Sequence, residues 1–199
     1  IRKMNEVSKM IVFILFMLFV TLIISIIVEH YELFIEYRVS KTNNKTYGVQ
    51  EEFNESAQAL ELLAKLHTEM DNFVADLYKN YPTDERVIRL VKGIKKMKIE
   101  EAPNDDGSSY TINKGELMAL CLRHKKGEHP FHEYNTLQFV MIHELAHVAS
   151  ISEGHNQEFI NNFRFLLRQA NALGYYDPVN YSNKPINYCG IKVTNNPYF

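Results

Sequence analysis

Three histidines in the stretch from Val140 to Phe159 constrain the fold of this chain more than any other feature. His143 and His147 form an H-E-x-x-H pattern, and residues four apart lie on the same face of a helix. His155 follows His147 by eight residues. On an unbroken helix it would lie about 12 Å farther along the axis, at about 1.5 Å per residue, too far to share an ion. The helix must therefore end between them, and the chain must reverse.

The residues between the two histidines support this break. Ser150, Ser152 and Gly154 are poor residues for a helix interior, and Gly154 can adopt the left-handed conformation that stops a helix. The run from Gln157 to Leu173 then reads as a second helix that ends at Gly174. Its predicted buried stripe consists of Phe159, Phe163, Leu166, Leu167, Ala170 and Leu173.

Imidazole nitrogens arranged in this way are ligands for zinc. A catalytic zinc site takes three protein ligands and leaves the fourth tetrahedral position to water. Glu144 adjoins the first histidine and can accept a proton from that water. We therefore predict one Zn²⁺ per chain, held by His143, His147 and His155, with Glu144 as the general base. The alternative is a buried helix that carries incidental histidines.

A second constraint is the uncharged run from Met10 to Val28. As a helix it would span about 28 Å, close to the hydrocarbon thickness of a bilayer. A signal peptide has a shorter apolar core and a small-residue cleavage site, whereas Glu29 follows this run directly. The sequence predicts a single transmembrane helix at residues 10–28 that contacts the lipid bilayer. The chain begins at Ile1 rather than Met, which predicts that residues precede it in the full protein.

Charge on either side of the run predicts its orientation. Basic residues precede it and acidic residues follow it: Arg2, Lys3 and Lys9, then Glu29, Glu32 and Glu36. The positive-inside rule places residues 1–9 in the cytoplasm and the large domain on the opposite side of the membrane.

The remaining residues predict an α+β domain, with helices packed on a short sheet. We expect a linker at residues 29–50 and the domain at residues 51–199. Glu51 to Tyr78 has helical apolar spacing, and Thr83 is the expected N-cap of a short helix. Lys95 to Glu101 is predicted as a strand. A hairpin follows, whose second arm, Glu116 to Arg123, could also be helical; as a strand, it is the expected edge for pairing with substrate.

Other residues with functional side chains are predicted to have structural roles. His67, His124, His129 and His132 are expected outside the metal site, because three ligands already complete it. The basic cluster from Lys92 to Lys98 predicts a solvated face, with phosphate binding as the alternative. The net charge of −2 makes nucleic acid an unexpected partner. Whether Cys121 and Cys189 pair is left open.

Two supporting roles, stabilising an oxyanion and orienting the histidines, each have several candidate residues. A phenol can stabilise an oxyanion, and the candidates are Tyr175, Tyr176, Tyr181 and Tyr188, although packing is the commoner role of a buried tyrosine. Ligating imidazoles usually donate their other N–H to a nearby polar group, for which Glu158 and Asn162 are the candidates.

The sequence resembles the WLM and SprT-like zinc metallopeptidases of the zincin group. The resemblance rests on HELAH at residues 143–147 and on Gly154-His155 with Phe159 downstream. With its apolar N-terminal run and Tyr188-Cys189-Gly190, it also looks like membrane-anchored metallopeptidases of large DNA viruses. The resemblance implies a small zincin-like domain behind the transmembrane helix. It also implies a location in the internal membrane of a virion or a host membrane derived from the endoplasmic reticulum, with capsid or membrane proteins as partners.

The predicted function is that of a membrane-anchored zinc metalloprotease that hydrolyses peptide bonds in a protein or peptide substrate. One alternative is a structural or virion-membrane protein that keeps the zinc fold without turnover, since zinc bound to the native state adds folding free energy. A second alternative is a nucleic-acid-associated protein that uses the cluster from Lys92 to Lys98.

Overall fold

The computed structural model describes residues 6–32, 35–103 and 107–199 of the chain, so Arg2 and Lys3 of the orientation signal lie outside it. The helices of these residues are α1 (Glu6–Glu32), α2 (Ser56–Asn80), α3 (Glu85–Ile94), α4 (Tyr134–Ala149) and α5 (Gln157–Ala172). The strands are β1 (Ile35–Val39), β2 (Thr46–Gln50), β3 (Lys98–Glu101), β4 (Tyr110–Ile112), β5 (Leu117–Leu120), β6 (Ile186–Tyr188) and β7 (Ile191–Val193). This confirms the predicted mixture of helices and sheet.

Helix α1 contains the predicted apolar run and extends beyond it at both ends. Its segment from Glu6 to Ile27 has a mean hydropathy of 3.2, and none of it is buried against the rest of the protein. A helix of this length and composition is able to cross a bilayer.

The main sheet has the strand order β1-β2-β3-β5-β4. β1 and β2 are antiparallel, β2, β3 and β5 are parallel, and β4 returns antiparallel to β5. The crossover from β2 to β3 runs through α2 and α3, which fits the need of parallel strands for a long connection.

The predicted linker at residues 29–50 is wrong for residues 35–50, which form the hairpin of β1 and β2. Tyr47 and Val49 of this hairpin are fully buried. Its connecting turn is polar because the carboxylate of Glu61 holds it, accepting hydrogen bonds from the Ser40 hydroxyl at 2.7 Å and the Lys41 amide at 3.0 Å. The polar residues of this turn resemble those of a linker, and the side chain that holds them is distant in sequence. The sequence pattern alone therefore did not indicate a hairpin.

The predicted hairpin after β3 is confirmed, but the assignment of its edge is wrong. β5 pairs with β3 on one side and β4 on the other, so β4 is the edge strand of the sheet. Residues 118–122 are all buried, as expected for a strand enclosed on both faces. The unbroken apolar sequence of the second arm, Met118 to Leu122, was therefore a signal for an internal strand.

Helix α3 fixes the turn between β4 and β5. Its N-cap is Asp84, whose carboxylate accepts the Arg86 amide at 2.9 Å, so the prediction of Thr83 was off by one residue. A Cβ on Gly93 would lie 2.4 Å from a Val148 methyl and 2.8 Å from the Lys114 carbonyl oxygen. The absence of a side chain at residue 93 thus lets α3, the turn and α4 meet.

Two buried features secure the segment that leads into α4. Arg123 is 5% exposed and forms an ion pair with Glu101 at 2.8 Å, and its guanidinium lies over the ring of Phe131. Cys121, directly after β5, is disulfide-bonded to Cys189 in the turn between β6 and β7. The pairing question that the sequence left open is thereby answered, and the C-terminal hairpin is joined to the sheet.

Candidate metal centre and active site

The three predicted histidines converge. The Nε2 atom of His155 lies 3.0 Å from Nε2 of His143 and 3.2 Å from Nε2 of His147. One ligand nitrogen from each residue lies within 4.8 Å of the other two. Helix α4 supplies the first two from adjacent turns of one face, and the chain reversal supplies the third.

The reversal is tighter than the sequence predicted. Helix α4 already ends at Ala149, with Ser150 extended, whereas Gly154 was the expected stop. Gly154 does have a positive φ of 77°, and it turns the chain immediately before His155. Asn156 then caps α5 by accepting the Phe159 amide at 3.1 Å.

The surroundings keep the imidazoles of His143 and His147 neutral, which is the form that binds metals. Burial, followed by the neighbouring histidines, lowers the pKa of His143 to about 3. Burial, followed by the neighbouring His155 and Lys114, lowers the pKa of His147 to about 4. Beneath them, the Phe159 ring lies between 4.4 and 4.9 Å from all three imidazole centroids. This apolar floor positions the rings without adding a competing ligand.

The donor set fits a zinc ion. Nitrogens at about 2.0–2.1 Å from a tetrahedral centre are roughly 3.3 Å apart, close to the two separations between Nε2 atoms. The rings are tilted or edge-to-face to one another rather than stacked, with centroids 4.9–5.0 Å apart. Three imidazole nitrogens directed at one point are poor hydrogen-bond partners for one another, because a neutral ring has only one N–H.

Glu144 lies beside this triad and is 3% exposed. Burial raises the pKa of its carboxyl to about 7, although a hydrogen bond from the Thr111 hydroxyl, at 2.8 Å, acts in the opposite direction. A carboxyl with a pKa near neutrality can both accept and return a proton. Thr111 carries no signal of this role in the sequence, because the antiparallel return of β4 is what brings it to the helix.

The triad and Glu144 open on a single cavity of about 420 Å³. The edge strand β4 forms one wall through Tyr110 and Thr111, and the turn residues Asn113 and Lys114 form its rim. Lys114 spans the entrance, donating to the Ser152 carbonyl at 2.8 Å and pairing with Glu153 at 3.1 Å. The cavity thus combines a candidate metal site, a candidate base and an open strand edge.

Comparison with known proteins places this arrangement in a family. The sequence model of the WLM domain matches residues 107–196, which include β4, β5, the triad and the C-terminal hairpin. The uncharacterized protein R325 of Acanthamoeba polyphaga mimivirus is 32% identical over 161 residues, which cover 79% of this chain and 81% of that protein. The chain belongs to the WLM family.

Two further relatives and one solved structure are similar over shorter regions. The uncharacterized protein 136R of Invertebrate iridescent virus 6 is 42% identical over 96 residues, 47% of this chain and 49% of that protein. The uncharacterized protein 042R of Invertebrate iridescent virus 3 is 42% identical over 89 residues, 44% and 52% of the two chains. The crystal structure of Wss1 from Saccharomyces cerevisiae matches with 24% sequence identity and a TM-score of 0.46. The match covers 63% of this chain and 89% of that chain.

None of the four candidate tyrosines lines the cavity of the WLM domain. The Tyr175 hydroxyl donates to Asp76 and that of Tyr176 accepts from Asn196, while Tyr181 packs on Phe139. Tyr188 comes nearest, but its hydroxyl donates to the Cys121 carbonyl and is shared with the hydroxyl of Ser109, a cavity residue. Its role is to hold the strand that borders the site. Tyr110 is the tyrosine that reaches the cavity.

The two predicted partners of the histidines have a different role in the WLM domain. The Glu158 carboxylate accepts the amides of Ile151 at 2.8 Å and Ser152 at 3.0 Å. Asn162 donates to the Ser150 hydroxyl at 2.9 Å. These hydrogen bonds secure the reversal that delivers His155, which corrects the expectation of direct contacts to the imidazoles.

The basic cluster of the WLM-family chain is exposed, as predicted for a solvated face. Two of its residues, Lys92 and Lys96, also line a cleft of about 570 Å³ with Arg89 and Lys114. The cleft shares Lys114 with the metal cavity. His132, expected as a loop residue, is 6% exposed and lies against the disulfide.

Proposed function

We propose that this WLM-family protein is a zinc-dependent metalloprotease anchored to a membrane by α1. The observation that carries the proposal is that three imidazoles and one buried carboxylate open on the same cavity. The match to the WLM domain covers all four residues.

His143, His147 and His155 would hold the zinc ion through Nε2. When bound there, zinc would supply a Lewis acid and make water a better nucleophile near neutral pH. Glu144 accepts a proton from the attacking water and returns it to the leaving amine. The Thr111 hydroxyl, hydrogen-bonded to one carboxylate oxygen of Glu144, orients the other oxygen toward the cavity.

We further propose that β4 binds the substrate backbone. This strand is the edge of the main sheet, and it forms a wall of the same cavity. An extended peptide that paired with β4 would pass in front of Glu144 and the triad. Such pairing selects for unfolded or extended segments, because their backbone groups are free to form the hydrogen bonds.

A structural zinc protein without turnover is the competing function. Structural zinc sites are closed by four protein ligands, whereas catalytic sites keep one position open. Here the triad faces an open cavity, and the fourth nearby side chain is a carboxylate with a raised pKa. Both features favour a catalytic site.

Anchoring would restrict the substrates to proteins at one membrane surface. Because the relatives are encoded by viruses, we propose capsid or membrane proteins of a virion as the substrates or partners. The corresponding location is an internal virion membrane or a host membrane derived from the endoplasmic reticulum.

The test compares Glu144→Gln with the unchanged full chain, both purified in detergent with zinc and given an unfolded protein such as casein. Zinc content should be equal, because Glu144 is not a ligand. Cleavage should fall by at least about 10²-fold, the lower range for a general acid–base group. Undiminished cleavage by Glu144→Gln would disprove its assignment as the base.

Two controls separate chemistry from folding. Glu153→Gln removes a carboxylate that is 86% exposed at the rim of the same cavity, and it should retain activity. His143→Ala should lose both zinc and cleavage. Zinc binding without cleavage of any unfolded protein by the unchanged chain would favour the structural function instead.

A further inference from the structure

A second group of metal-ligand side chains lies outside the candidate active site. Cys121, His132 and Cys189 are all buried, and their two sulfurs and one imidazole nitrogen lie within 4.8 Å of one another. The three residues come from different places in the fold: the end of β5, the segment before α4, and the turn between β6 and β7. Their convergence therefore depends on the tertiary structure.

The imidazole of His132 is directed at sulfur. Its Nε2 atom lies 3.3 Å from Sγ of Cys189. The ring of His132 is 6% exposed, so this nitrogen is held beside the sulfur and away from solvent. A disulfide does not need an imidazole beside it, because its sulfurs are uncharged and are weak hydrogen-bond acceptors.

His124 completes a recognisable ligand pattern. It follows Cys121 at the spacing C-x-x-H, and its ring centroid is 3.9 Å from that of His132. Two cysteines and two histidines are a common ligand set of structural zinc sites, and here Cys121 and His124 are separated by two residues. His124 is partly exposed and also lines a surface cavity with Cys189, so it can move toward the sulfurs.

We propose that Cys121, Cys189 and His132, with His124 as the fourth ligand, form a structural zinc site when the disulfide is reduced. A dithiol or phosphine reductant supplies two electrons, and with two protons the disulfide becomes two thiols while the reductant is oxidised. Zinc then displaces the two thiol protons and binds the thiolates. The oxidised and the zinc-bound forms are alternative states of the same cysteine pair.

The backbone can accommodate both states. The Cα atoms of the two cysteines are 6.4 Å apart. Sulfurs at about 2.3 Å from a tetrahedral zinc are roughly 3.8 Å apart, a separation that rotation of the side chains can provide. In both states the C-terminal hairpin stays joined to β5, so Tyr188 keeps its place beside Ser109 at the border of the active-site cavity.

The test counts metal ions on the full chain in detergent, in oxidised and phosphine-reduced samples prepared without oxygen. The reduced protein should bind two zinc ions per chain and the oxidised protein one. With Co²⁺ in place of zinc, only the reduced protein should show a thiolate-to-cobalt charge-transfer band in the near ultraviolet. A reduced protein that gains neither the second ion nor the band would overturn the proposal.

Variants assign the second ion to this cluster. His132→Ala should lose the second zinc and most of the charge-transfer band when reduced. Its oxidised form should still bind one zinc, which shows that it folds. His129→Ala is the matched control, because that imidazole is hydrogen-bonded to the His124 carbonyl instead of facing sulfur. The reduced form of this variant should bind two zinc ions. If reduced His132→Ala also binds two zinc ions, the assignment of the second ion to this cluster fails.

The result is independent of the proposed protease. His143→Ala disables only the first site, so its reduced form should bind one ion and retain the charge-transfer band. Loss of the band in this variant would contradict a separate sulfur site. Failure of the protease assay would leave these expectations unchanged.

Discussion

At the scale of single residues, Thr111 is the contact that most directly supports the proposed base. Its hydroxyl donates to the Glu144 carboxylate at 2.8 Å. Thr111→Val keeps the shape of the side chain and removes this donor. A hydrogen bond to a charged group contributes about 1.5–3 kcal/mol, so the turnover number should fall by about 10-fold or more.

The assay for Thr111→Val measures steady-state cleavage together with zinc content. Zinc content should not change, because Thr111 does not touch the histidines. Thr111→Ser restores the hydroxyl and should recover most of the activity. Equal rates for the Val and Ser variants would show that the hydrogen bond does not orient Glu144.

Glu158 gives a prediction that depends on pH. Hydrogen bonds from Ser152 and from the Ile151 amide hold its pKa at about 2, below the ordinary value of 4.5. Because the folded value is below the unfolded one, the carboxylate stabilises the fold fully above about pH 4.5, and this is lost as pH falls toward 2. The difference in free energy of unfolding between the unchanged chain and Glu158→Gln should shrink over that range.

Denaturant unfolding in the presence of a chelator measures this difference without a contribution from metal binding. Glu153→Gln is the control, because its carboxylate is 86% exposed and lies outside the hydrogen bonds of the reversal. A difference for Glu158→Gln that stays constant from neutral pH to pH 2 would show that the carboxylate charge is not what secures the reversal.

At the scale of secondary structure, local patterns predicted the site better than they predicted the sheet. The spacing of three histidines and a break between them was enough to predict two helices and their reversal. The position of β4 depends on pairing with β5, and the hydrogen bond from Thr111 to Glu144 depends on that position. Such contacts join distant parts of the chain, so they cannot be predicted from the periodicity of one segment.

The hairpin of β1 and β2 shows the same difficulty. Only three of its side chains, Ile35, Tyr47 and Val49, are buried apolar groups, and its turn is fixed by Glu61 from α2. Gly48 adds no side chain to pack. The segment was therefore predicted as a linker, although it contributes two strands.

The contact between α3 and the turn after β4 can be tested by Gly93→Ala. The added Cβ would lie within 2.4–2.8 Å of Val148 and the Lys114 carbonyl, so α3 must move. Overpacking typically costs about 1–3 kcal/mol, which exceeds the gain of up to about 1 kcal/mol in helix propensity. We expect a net loss of stability in thermal or denaturant unfolding.

Lys92→Ala is the control for Gly93→Ala, since Lys92 is an exposed neighbour in the same helix. It should change stability by no more than about 0.5 kcal/mol. A stabilised Gly93→Ala variant would mean that α3 can shift freely and does not fix the rim of the cavity.

At the scale of the whole molecule, the state of the cysteines and the proposed orientation of α1 in a membrane are linked. Disulfides persist in oxidising compartments and are rare where thiols are kept reduced. If residues 1–9 are cytoplasmic, the domain lies on the other side of the membrane, and Cys121 and Cys189 should remain bonded there. The opposite orientation would favour the reduced, zinc-bound form.

Thiol labelling in intact cells that express the full chain can therefore report the orientation. With the predicted orientation, a membrane-permeant maleimide should label neither cysteine until a reductant is added, because these are the only two cysteines of the chain. Labelling after treatment with a chelator alone, without a reductant, would place the domain in a reducing compartment. That outcome would reverse the predicted orientation and identify the sulfur-bound zinc as the state present in the cell.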